Sequence, residues 1–125
     1  MQIATAASVE TDTRLASEEC WTALMEQLGG PPSLVLAYFT ETHDAQALAN
    51  ALGRRVQAEV IQGSSSCQGV MSAEGMHGEG GVGLGLWAIR DPEGDYGVGG
   101  VPMGTDPRAA SIQALEEALE RAGRP

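Results

Sequence analysis

Lysine is absent from this 125-residue chain, and seven arginines stand against 17 Asp and Glu for a net charge of −10. The absence excludes Schiff-base chemistry, pyridoxal-phosphate attachment and the P-loop lysine, which all need a side-chain amine. Nucleic acid and anionic membrane surfaces are disfavoured partners, because their affinity comes from cationic contacts. Aromatics are scarce too: Trp21, Tyr38, Phe39, Trp87 and Tyr96 are the whole set, which argues against a base-stacking platform. Two cysteines, Cys20 and Cys67, make no disulfide framework and read as free thiols of a reducing compartment. No apolar run approaches the ~20 residues of a membrane span, and Met1 to Thr5 has neither the basic nor the apolar region of a signal peptide. A soluble cytoplasmic protein is expected.

What is present is a chain long enough to bury its own core, read as a single domain over residues 1–125. Glycine, at 17 residues, is roughly double its usual ~7% share, and most of the excess lies between Gly63 and Gly104. Gln2 to Val9 reads as an edge strand. A helix capped by Ser17 carries Trp21, Leu24, Met25 and Leu28 on one stripe and stops at Gly29-Gly30-Pro31-Pro32. The continuous apolar run Leu34 to Thr40 reads as the central strand. Asp44 then caps a second helix with Ala45, Leu48, Ala51, Leu52 and Val56 turned inward and Arg54 and Arg55 in its last turn.

Ala58 to Ile61 is the third strand and leads directly into the loop Gly63-Ser64-Ser65-Ser66-Cys67-Gln68-Gly69. Val70 to Gly81 reads as a glycine- and methionine-rich loop. Val82 to Ile89 alternates as a strand whose glycines mark close backbone approach or a bulge, and Tyr96 to Met103 is expected to pair with it as a hairpin. Asp106 caps and Pro107 opens a last helix with the apolar stripe Ile112, Leu115, Leu119 and Ala122, and with ion pairs Glu117 to Arg121 and Glu120 to Arg124. The expected fold is α/β: strand, helix, strand, helix, strand, then a β-hairpin and a C-terminal helix, with a mixed sheet of about five strands. In such a sheet the loops at the carboxyl edge carry the ligand site.

The glycine-serine loop, the strand Leu34 to Thr40 with His43-Asp44 after it, Gly29-Gly30-Pro31-Pro32 and the Pro107 helix start together resemble the first part of the FIST N-terminal domain family. The resemblance covers nearly all of this chain and about the first half of that domain. It implies a ligand-sensing input module of a bacterial signalling system, non-catalytic, with small molecules such as amino acids as ligands. It also implies, as an alternative, a haem-binding nitric oxide sensor. A half-length unit is expected to complete itself as a homo-oligomer or with a second protein subunit, joined through the open edge of the sheet. A purely structural subunit of a larger assembly is the reading from another class.

The candidate ligand residues are Thr40, His43, Gly63, Ser64, Ser65, Ser66, Cys67 and Gly69. Exposed amides and hydroxyls in that loop suit a carboxylate or other anionic group, while the bland alternative is a tight turn whose serines bond their own backbone. Cys67 is a nucleophile or redox thiol only beside a base that lowers its pKa, and a small buried thiol is the simpler reading. By residue type His77 and His43 are the candidate haem axial ligands, with Met71, Met76 and Cys67 as partners and no attachment motif nearby. Glu74, Glu79 and His77 are separated by glycines that impose no geometry, so no metal site is expected.

Overall fold

The computed structural model describes residues 1–124. It is a mixed α/β fold in which three helices accompany a four-stranded sheet and a small two-stranded one. Strand β1 (Gln2–Ser8) leads to helix α1 (Thr13–Leu28), β2 (Leu34–Thr40), α2 (Ala45–Gly53) and β3 (Ile61–Ser66). The short strands β4 (Val70–Ser72) and β5 (Gly75–His77) follow, then β6 (Leu84–Arg90) and α3 (Pro107–Arg121). The large sheet runs β1-β6-β2-β3, with β6 antiparallel to both of its neighbours and β2 parallel to β3. β1 is thus an edge strand and β2 an inner one, as their patterns predict.

One face of the sheet carries the core. Ala4 and Ala6 of β1, Leu84, Leu86 and Ala88 of β6, and Val35 and Ala37 of β2 pack on Ala16, Cys20, Trp21, Leu24 and Leu28 of α1 and on Leu48 and Leu52 of α2. Small side chains on the strands let the large ones on the helices reach the sheet, which is how a core whose one buried aromatic is Trp21 fills its volume. Arg55 adds a cation over the Trp21 ring, 5.5 Å from its centroid. On the other face the β4–β5 hairpin lies over the carboxyl end. Buried Val70 sits on Gly85, where a Cβ would come within 3.1 Å of it, so this glycine marks a close approach as expected.

Several expectations are corrected. The first helix begins four residues before Ser17, capped by Asp12, whose carboxylate accepts from Leu15 N at 2.9 Å; Ser17 is buried and donates to Thr13 O. Ala58 to Val60 is a 3-10 turn and not strand, and the strand is Ile61 to Ser66, so four of the seven loop residues belong to a ladder with β2. Ser64 and Ser65 are tolerated there because an edge strand need not bury its residues. Tyr96 to Met103 is not a strand. Its place beside β6 is taken by β1 on one side and β2 on the other, while the real hairpin is the β4–β5 pair inside the supposed loop. Ala45 is exposed.

The caps Asp44 and Asp106 are as expected, each accepting from the amide three residues on. The stripe of α3 is not buried: Ile112, Leu115 and Leu119 are 50%, 61% and 43% exposed. The helix instead packs its Ala114 and Ala118 carbonyls against Gly97 and Gly99, where any side chain would collide, and Arg121 donates to Val98 O at 2.7 Å. Glu117 does pair with Arg121, at 2.5 Å, whereas Arg124 reaches Asp95 at 2.6 Å and not Glu120.

Candidate functional site

The carboxyl ends of β1, β2 and β3 converge with the start of β6, and the polar groups there are largely committed to one another. Thr40 is buried; its Oγ1 accepts from Gly83 N at 2.9 Å and lies 2.7 Å from Thr42 Oγ1, tying the end of β2 to the approach of β6. His43 is 5% exposed and its Nδ1 is 3.1 Å from Thr13 Oγ1, which also accepts from Asp44 N. Both contacts are satisfied when the Thr13 hydroxyl donates to Nδ1, which puts the ring proton on Nε2. Nε2 is buried with no partner among the described residues. Desolvation holds the His43 pKa below its ordinary value, so the ring is neutral near pH 7.

Beside this knot lies a cleft of about 690 Å³, lined by Val9, Thr11, Met76, His77, Gly78, Glu79, Gly80 and Val82. Its walls are the chain leaving β1, the end of β5 and the turn Glu79–Gly81. Gly80 and Gly81 have φ of 70° and 76°, the left-handed region that glycine enters without strain, and this folds the chain back under the cleft. Glu10 braces the opposite wall by accepting from Thr11 N at 2.7 Å and Asp12 N at 3.1 Å; these amides hold its carboxyl below the usual carboxylate range. His77 Nε2 is 2.8 Å from Ser72 Oγ, which pins the ring across the hairpin.

The seven-residue loop is divided between two places. Gly63 lies in a separate groove of about 240 Å³ between α2 and β3, walled by Phe39, Leu48, Leu52 and Ile61. Ser64 and Ser65 are exposed on β3, Ser64 touching Ser65 O at 3.3 Å. Ser66 donates to Gly69 O, so the turn is closed by its own serine, as the bland alternative has it. Gly69 packs directly on the backbone of the cleft wall, where a Cβ would meet His77 O at 2.6 Å. Of the candidate residues, Gly69 and His77 are therefore brought together at the cleft. Thr40 and His43 stand buried behind the edge, and Gly63 to Ser65 face elsewhere.

Cys67 is exposed, which corrects the expectation of a buried thiol. Neither histidine is engaged with it, since His43 bonds Thr13 and His77 bonds Ser72. Cys20 is the buried one; burial pushes its thiol up to about 12, and it contacts Leu84 O at 3.6 Å, the behaviour of a small apolar residue. For haem, the ligand set fits poorly: His43 is enclosed, His77 is held by Ser72, and Met71 and Met76 are 73% and 72% exposed. Among the described residues no three His, Cys, Asp or Glu side chains gather where they would hold a metal ion. No helix of the described residues is long and apolar enough to cross a membrane.

Val9, Thr11 and Gly80 are cleft residues that the sequence reading passed over. The available signal is position: Val9 and Thr11 directly follow a strand, at the carboxyl edge where α/β sheets place their sites. Compared with known proteins, the chain matches no family model, no curated protein and no solved structure.

Proposed function

We propose that this chain is a non-catalytic, cytoplasmic small-molecule-binding module of the FIST kind that reports occupancy of its carboxyl-edge cleft through self-association. The observation that carries the reading is the cleft itself, a concave site at the strand ends with backbone of a glycine turn on one side and Thr11, His77 and Glu79 as polar groups. A carboxylate on one wall with an imidazole and backbone groups around it suits a small zwitterion such as a free amino acid, whose ammonium pairs with Glu79.

The test is a thermal-shift and calorimetric screen of the purified chain against free L-amino acids. The expected result is saturable binding by at least one of them, weakened tenfold or more (about 1.4 kcal/mol) by Glu79→Gln and by His77→Ala. No binding across the panel overturns the reading. Haemin reconstitution is the companion measurement: a Soret band that vanishes in His77→Ala makes the module a gas sensor instead.

A further inference from the structure

The outer edge of β3 is the least protected part of the sheet. β3 ends the strand order, with β2 on one side and no strand of the described residues on the other. Gln62 Nε2 lies 3.5 Å from Gly63 O and Ser64 Oγ 3.3 Å from Ser65 O, so the strand's own side chains reach along its backbone. Open edges are ordinarily guarded by a charge, a proline or a bulge. Ile61–Ser66 contains no charge and no proline, and its register with β2 runs without a bulge. The opposite edge is held differently: in β1 the Thr5 carbonyl accepts from Gln27 at 2.9 Å and its hydroxyl from Ala73 N at 3.0 Å.

Two further features adjoin the same edge. The apolar groove between α2 and β3 opens beside it, because Gly63 has no side chain to fill the space and Ala45 and Ala49, beside Leu48 and Leu52 on α2, are small. The surroundings are also uncharged. Neither α2, Ala45–Gly53, nor the stretch from Ile61 to Ala73 contains a single charged residue, in a chain of net charge −10.

We infer that β3 pairs antiparallel with the β3 of a second copy about a two-fold axis normal to the sheet, joining two four-stranded sheets into one of eight. This names the surface for the self-association put forward above and rests on that part of it. The symmetry places both α2 helices on the same side of the joined sheet, so each closes the other's groove as the strands pair. The charge distribution selects the occupant. Two copies carrying −10 each repel over most of their surface and least where neither carries charge, whereas a cationic partner finds no carboxylate in this strip to bind. A second β3 is also matched in length, and its last four residues are likewise one glycine and three serines. Backbone pairing along the strand and apolar contact in the grooves are then satisfied by one arrangement.

Sedimentation equilibrium from micromolar to submillimolar concentration tests the inference, using the whole chain with Ala49→Arg and Ser64→Lys. Both positions are exposed, so the monomer folds with either change. The wild type is expected to form dimers, and each variant to weaken them roughly tenfold or more with an unchanged far-UV spectrum. Amide exchange at Gly63 to Ser66 is expected to slow as the wild-type dimer fills. A wild type that stays monomeric throughout overturns the inference and leaves the edge to an extended segment of another protein. A dimer that both variants form at wild-type strength overturns it too, since another surface then joins the copies. Amino-acid binding is measured separately on the same samples. Its loss with the dimer intact refutes the cleft reading alone, and its presence without a dimer refutes the pairing alone.

Discussion

Helices α1 and α3 are of nearly equal length, each capped by an aspartate, and each carries an apolar stripe; they do opposite work. α1 buries Cys20, Trp21, Leu24 and Leu28 against the sheet, while α3 leaves Ile112, Leu115 and Leu119 in solvent and touches little beyond the backbone around Gly97 and Gly99. The difference teaches that an apolar stripe states a capacity and not a contact. The core closes without α3, and the helix is carried on a glycine-rich connector like an appended part.

The contrast is sharpest where the core is cut. Leu24 is fully buried, so Leu24→Ala is expected to cost about 3 to 5 kcal/mol, the sum of lost burial and a cavity, read as a large drop in the urea midpoint. The same truncation on α3, Leu115→Ala, is expected to stay within about 0.5 kcal/mol, and an equal loss at both positions would break the comparison.

An intermediate effect comes from pH, through the ring that ties the start of α1 to the start of α2. The His43 pKa is held down by burial in the folded chain, so the unfolded chain binds more protons in the acidic range. Its contribution is therefore complete above the ordinary imidazole value of ~6.5 and is lost as pH falls below it. Chemical denaturation at a series of pH values is expected to show that decline, and His43→Gln to remove that component of it. A wild-type decline unaltered by His43→Gln sets this account aside.

The smallest global effect is expected from Gly99→Ala. The new methyl collides with the Ala114 carbonyl and lifts α3 off its seat. The amides of α3 should then lose protection in hydrogen exchange while those of α1 keep theirs. Joint loss would show that the two helices belong to one cooperative unit.

The same contrast measures what the sequence can tell. Helix caps and stop signals are local chemistry, which is why Asp44, Asp106 and the break at Gly29 are readable without a structure. The inner position of β2 is readable from its continuous apolar run, although its second face is not fully covered and leaves Tyr38 exposed. What escapes is everything decided by a distant partner. The pattern of β6 suggests pairing with the segment that follows it, but a strand's alternation carries no address, and its neighbours come from residues 2–8 and 34–39. Gly63 to Ser66 read as loop because small polar residues usually are, and only their pairing with β2 makes them strand. The candidate site suffers likewise: His77 and Gly69 meet through a close approach of two backbone segments that no spacing announces.

The place of β6 between β1 and β2 also orders events in time. Gln2 pairs with Arg90, and β6 is the one strand beside β1 among the described residues, so β1 cannot be seated before β6 is made. On the ribosome β2, α2 and β3 can assemble locally, but β1 waits until Arg90 has left the exit tunnel. Pairing this remote in sequence slows folding and lengthens the exposure of nascent apolar surface. Strand β1, uncharged from Gln2 to Ser8, stays without its sheet partner for that interval.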